Sequence, residues 1–382
     1  MGVSGLSSSA SPSDPRRTVD ASATIGRFAI MWLLLSCALL ASCRGEGGSS
    51  ELQLPTPGTS AIVVDTLGGV AGSPIGRPSA IDMDPDGRLW IADALNHEIQ
   101  MVDLASGESS IIGREGQGPG EFLRPEGVAV REGTVRVVEF RSRRVQTLTA
   151  SGAFVSAEPI NSMLLLPLSL GSRGEIATSI LGQRGALAAY HSAEGGEPRY
   201  VGQAPAPPPI SISQARLREQ IQAGEIPSEF LNNVLPVVRE GGGLWLVTQG
   251  DGKVLAFTDS GEPTWERDLP EPYVTAALAR FFQAWAATPV EGVPVPWMAR
   301  GGASFRGDLW LLVDAPTGEG SHLLVYDGDT GHLTRVEHLP LRSPGWCLAV
   351  DPVRPDKIFV CLPEEAIVVG IDLSGSPGAG PT

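Results

Sequence analysis

Residues 77–93, RPSAIDMDPDGRLWIAD, and 124–139, RPEGVAVREGTVRVVE, align as two copies of one unit. In each, an X-Pro pair enters a run of alternating apolar residues, and Gly87 or Gly133 turns the chain. A second apolar run then ends on an acid, Asp93 or Glu139, and a third begins near Ile99 or Val145. Alternation of period two between glycine turns is strand chemistry, because successive side chains in a strand face opposite ways.

The unit recurs along the chain. Pro78, Pro125, Pro167, Pro236, Pro296 and Pro344 each precede a first strand; Gly87, Gly133, Gly174, Gly243, Gly307 and Asp356 mark the turns that follow. The next apolar position holds Leu89, Val135, Ile176, Leu244, Leu309 and Ile358, with Trp90, Trp245, Trp310 and Phe359 one residue beyond. The prolines lie 47, 42, 69, 60 and 48 residues apart. A propeller blade takes roughly 40–50 residues, so the spacing predicts blades with two insertions. The fold class is therefore all-β, a six-bladed β-propeller over 61–373 with two helical insertions. The sixth unit has three strands before Leu373, and Ala61–Leu67 (AIVVDTL) is the strand that closes the ring. Closure removes the long free edge that an open sheet would expose. A pair of β-sandwiches accommodates six similar units poorly.

Blade two reads Gly116-Gln-Gly118-Pro119-Gly120-Glu121-Phe122-Leu-Arg124-Pro125-Glu126-Gly127-Val128-Ala129-Val130, followed by Val145-Gln146 and Gly152-Ala-Phe154. This resembles the blade consensus of NHL-repeat propellers. The likeness is specific in blades one and two and fades afterwards. Around the second turn the family carries Asp, Asn and Arg; this chain has Asp93, Asn96 and Glu98 in blade one, and Glu139 and Arg143 in blade two. The resemblance implies a six-bladed propeller. The family's range, from lyases and lactonases to protein-binding scaffolds and bacterial lipoproteins, leaves the activity open.

The N-terminus reads as an address. Residues 1–42 carry Arg16, Arg17 and Arg27 ahead of an apolar run from Phe28 to Ser42, FAIMWLLLSCALLAS, which is short for a bilayer span and of secretory length. The run ends in Leu40-Ala-Ser-Cys43, similar to the lipobox of bacterial lipoproteins, in which the cysteine becomes the acylated N-terminus. Cys43 is the expected lipidation site, 43–60 a flexible Gly/Ser/Pro-rich tether, and 374–382 a disordered tail. Arg44 stands where an Asp would signal inner-membrane retention, so the outer membrane is the expected address. Several acyl chains would anchor the chain without any contact between protein and lipid surface. That matters because the net charge is -15, which repels nucleic acid and anionic headgroups alike.

Residues 213–231 and 271–288 have helix composition and fall between blades; Leu278, Phe281, Phe282 and Trp285 recur at helical spacing and predict packing on the body. Cys347 and Cys361 flank a turn centred near Arg354, which sets them opposite each other on antiparallel strands and predicts a disulfide in an oxidising compartment. His97, His191, His322, His332 and His338 form no ligand spacing, although His322 and His338 can face each other across the hairpin at Asp329–Gly331. Asp82, Asp84 and Asp86 lack the remainder of a calcium loop and read as turn acids. No nucleophile elbow or phosphate loop occurs.

What remains near the expected channel mouth is Arg77, Arg124, Glu126, Asn232, Asn233, Trp297, Arg300 and Trp346. Aromatic and guanidinium anchors of this kind suit a protein, peptide or glycan ligand. The expectation is a monomeric, lipid-anchored envelope propeller that binds rather than catalyses and has no cofactor. The alternative is a divalent-metal hydrolase of the propeller-lactonase type, with calcium on Glu126 and Asn232 or Asn233.

Overall fold

The computed structural model describes residues 61–70, 73–160, 164–193, 196–209, 213–287 and 293–374. The leader, Cys43 and the tether lie outside them, as does the tail beyond Ser374. The described chain builds six four-stranded antiparallel sheets and one short hairpin, Gly69–Val70 with Ser73–Pro74. The innermost strands are Pro78–Met83, Pro125–Arg131, Leu168–Leu170, Val234–Val238, Gly301–Phe305 and Cys347–Val350. Each touches the next around a closed ring, and the sixth touches the first. This is a six-bladed propeller.

Closure occurs as the sequence implies. Ile62–Leu67 pairs antiparallel with Ile367–Asp372, so the first strand of the described residues is the outer strand of the last blade. Lys357 Nζ adds an ion pair to Asp65 at 2.6 Å across that blade. The second strand of a blade is covered by neighbouring blades on both sides. Leu244–Thr248 is accordingly buried at every position and Arg88–Asp93 at all but the first, which explains runs such as Leu-Trp-Leu-Val that do not alternate. Trp90 and Trp245 are fully buried and Trp310 nearly so, each in the wedge between two blades.

Three helices sit in the insertions: α1 (Gln214–Gln222), α2 (Ser228–Leu231) and α3 (Glu271–Ala286). The first insertion is thus two helices, broken where Gly224 takes φ +80° and Pro227 precedes α2. The expectation for α3 needs a correction. Tyr273 and Ala277 bury against the core shared by blades four and five, with Leu278 partly buried there. Phe281 and Trp285 instead bury against Leu217, Ile221 and Phe230 of the other insertion, forming a small core of their own. Phe230 and Phe281 meet edge to face at 5.1 Å. No helix among the described residues is long and apolar enough to cross a membrane.

Candidate functional site

The residue immediately before each innermost strand occupies an equivalent place around one mouth of the channel. In blade order these are Arg77, Arg124, Pro167, Asn233, Arg300 and Trp346. The acid that ends the second strand holds this position in place. In blade one, Asp93 accepts the amides of Gly76 at 2.6 Å and Arg77 at 3.0 Å, and also those of Leu95 and Asn96. In blade two, Glu139 accepts the Leu123 amide at 2.7 Å, and Nδ1 of His97, from the preceding blade, accepts the Arg124 amide at 2.8 Å. In blade five, Asp314 grips the Arg300 guanidinium through both oxygens, Nη2 lying 2.8 Å from Oδ2. Such two-point ion pairs fix orientation as well as charge.

Within this ring lies a cavity of about 510 Å³ whose lining includes Arg77, Glu126, Trp297, Arg300 and Trp346. Arg77 Nη2 and Arg124 Nε both donate to Oε1 of Glu126, each at 2.5 Å. Arg124 stands behind this pair, its guanidinium over the Phe140 ring. Across the mouth, Trp297 and Trp346 meet edge to face at 4.9 Å, and the Arg300 guanidinium lies 5.5 Å from one ring centre and 4.8 Å from the other. Leu166, Pro167, Pro236 and Pro363 complete an apolar wall.

The segment carrying Trp297 and Arg300 is clamped from below. Oε1 of the buried Gln249 accepts the Met298 amide at 2.8 Å and the Ala299 amide at 3.3 Å, and its Nε2 donates to the Ala299 carbonyl. Trp285 of α3 donates to the carbonyl of Pro294 just upstream. On the other side, Cys347 and Cys361 are register partners and disulfide-bonded with Cα atoms 5.1 Å apart, as the symmetric spacing implies. The Trp346 amide donates to the Cys361 carbonyl at 3.0 Å, so the disulfide adjoins an anchor of the mouth.

Five of the eight residues singled out from sequence thus line one cavity, and Arg124 touches it through Glu126. Asn232 and Asn233 do not join its lining. Asn232 is fully buried, its amide donating to the carbonyls of Leu181, Ala206 and Pro207, where it ties blade three to the first insertion. Asn233 is buried with its side-chain oxygen unpartnered. Among the described residues no group of three or more His, Cys, Asp or Glu is placed to hold a metal ion.

The other mouth of the channel is a wider cavity of about 900 Å³. Its lining carries five carboxylates, Asp82, Asp84, Asp86, Glu132 and Glu240, against the guanidiniums of Arg88, Arg131 and Arg239. Asp84 is the turn acid expected, accepting from the Asp86 and Arg88 amides and from Arg88 Nε. Asp82 differs: it accepts the Val130 amide of the next blade at 2.7 Å. Burial along the channel wall pushes its carboxyl up to about 7, with Glu240 and Asp84 adding smaller pushes in the same direction. His322 and His338 do face each other, with ring centres 5.3 Å apart, and Tyr273 of α3 bonds His322 Nδ1 at 2.7 Å.

No protein-family model and no curated protein sequence matches the chain. Solved structures do. A streptogramin B lyase is similar at 14% identity and a TM-score of 0.45, over 82% of this chain and 98% of that one. The virginiamycin B lyase of Staphylococcus aureus stands at 12% and 0.46, over 82% and 99%. A calcium-binding protein of Agrobacterium tumefaciens, regucalcin, stands at 12% and 0.45, over 82% and 93%. Likeness at this level carries no inference about chemistry.

Proposed function

We propose that this propeller is a binding module, held at a bacterial cell envelope by lipid on Cys43, that engages a protein, peptide or glycan partner at the mouth ringed by Arg77, Arg300, Trp297 and Trp346. The supporting observation is that residues from three separate repeats, 269 positions apart at the extremes of Arg77 and Trp346, line one cavity of about 510 Å³. Aromatic and arginine side chains set in a rigid concave wall are the groups that anchor ligands most strongly. Their rigidity has identifiable sources: Asp93 under Arg77, Gln249 under Trp297, Asp314 on Arg300 and the disulfide beside Trp346. A site already ordered in this way loses little entropy on binding.

The test is to probe the full chain against arrays of defined peptides and glycans. Trp297→Ala and Trp346→Ala should each weaken any hit by about tenfold or more, the usual cost of losing an aromatic anchor. Hits indifferent to both substitutions would place recognition elsewhere on the molecule and sink the reading.

A further inference from the structure

The two ends of the channel differ in electrical character. The wide mouth is lined by five carboxylates against three guanidiniums. At the aromatic mouth, two guanidiniums share a single carboxylate oxygen, Arg300 pairs with Asp314, which also meets Arg280 at 3.6 Å, and the lining's other carboxylate, Glu364, is exposed and makes no ion pair among the described residues. The group Arg77, Glu126 and Arg124 therefore holds one positive charge in excess, within a chain whose net charge is -15. Two like charges drawn to one oxygen repel each other, and a second carboxylate would complete the arrangement.

Donors for that second carboxylate are in place. Arg77 spends only Nη2 on Glu126; its Nε and Nη1 have no partner among the described residues, and its side chain is 42% exposed at the cavity. Its backbone is fixed by Asp93, so the side chain projects from a rigid base. Nε–H and Nη1–H lie on different edges of the guanidinium, and either one makes a fork for a carboxylate together with the second N–H of Nη2. Beside it, the wall of Leu166, Pro167, Pro236, Trp297 and Trp346 accepts an apolar body.

We infer that the cavity binds a monoanionic carboxylate carried on an apolar, aromatic-sized group, the chemistry of a peptide's C-terminal residue, with Arg77 receiving the carboxylate. This rests on the binding reading above and narrows it to one ligand class. Arg124 is a positioning residue, since it reaches the cavity only through Glu126.

The probes are N-acetyl-phenylalanine and its amide, which differ in the terminal charge alone, titrated into the full chain by calorimetry and tryptophan fluorescence. The acid should bind about tenfold more tightly than the amide, and rising salt should narrow the gap. Arg77→Gln should abolish the acid's preference over the amide; Arg77→Lys, which keeps the charge and loses the fork, should retain part of it. Equal binding of acid and amide would overturn the carboxylate assignment while leaving the binding site standing. A preference surviving Arg77→Gln would overturn the role of Arg77. No saturable binding of either probe would overturn the inference outright, and the array experiment would then judge the broader reading by itself.

Discussion

Asp82 projects into the acidic mouth, where its oxygens accept the amides of Met83 and Val130 and no ion-pair partner stands among the described residues. Its carboxyl titrates near 7, against an ordinary 3.8, chiefly because the channel wall strips it of solvent. The folded state thus holds this proton more tightly than the unfolded chain. The resulting stability is complete below pH 3.8 and is lost as pH rises through about 7. Asp82→Asn keeps an oxygen for the Val130 amide and removes the titration. It should raise stability at pH 8 by about 1 kcal/mol, discounted because water enters the channel, and flatten the melting profile between pH 4 and 7. A variant profile parallel to the parent's would refute the assignment. The disulfide bears on the mouth as well as on stability. Cys347→Ser with Cys361→Ser should cost about 3 kcal/mol or less, as a short loop implies, and should also shift tryptophan emission, since Trp346 is bonded to the Cys361 carbonyl. Lower stability with unchanged emission would separate the bridge from the mouth.

At the scale of the element, α3 is docked at its start and at its end by different means. Tyr273 bonds His322 Nδ1, and His322 faces His338; burial first and the neighbouring His338 second push His322 down to about 4 from 6.5. His322 is therefore neutral in the folded protein, and its contribution to stability, present above pH 6.5, is lost as pH falls towards 4. His322→Gln should make the melting temperature less steep over that interval, while Tyr273→Phe should cost about 1 kcal/mol near neutrality. Unchanged acid sensitivity in the His322 variant would assign the effect to other groups. The far end of α3 shows where sequence reading stops. Strand order, closure and the Cys347–Cys361 pairing all follow from repeat spacing, since each is a local or symmetric relation. That Phe281 and Trp285 pack on Leu217 and Phe230 cannot be read from helical periodicity, which marks an apolar face without naming what covers it. His97 and Gln249 escape for the same reason: their hydrogen bonds reach residues 27 and 49 positions away. Gln249 does follow the second strand of its blade, as Asp93 and Glu139 end theirs, and that repeat position is the one signal that could have flagged it.

For the whole molecule, the two ends of the described chain meet in one blade. Lipid on Cys43 would tether the protein 19 residues ahead of Ile62, where the closing strand begins. Labelled palmitate should enter the wild-type chain in a bacterial host and not Cys43→Ala; label retained by the variant would rule this anchor out. The closing strand contributes little core of its own, for Ile62, Val63 and Val64 are exposed. Its contribution is the backbone ladder to Ile367–Asp372 and the Lys357–Asp65 pair, which together cover the edge of an otherwise apolar strand. Deleting 61–67 should therefore do more than remove seven residues. It reopens the ring, exposes an edge open to pairing between molecules, and frees blade six from the chain's other end. The expected outcome is a fall in melting temperature of at least about 10 °C together with concentration-dependent association in gel filtration. Asp65→Asn, which keeps the ladder and loses only the charge, should change the melting temperature by no more than about 2 °C, as partly exposed ion pairs do. If the deletion melts like the parent and stays monomeric, the first and last blades hold the ring through their buried faces alone, and the N-terminal strand is an attachment point rather than a latch.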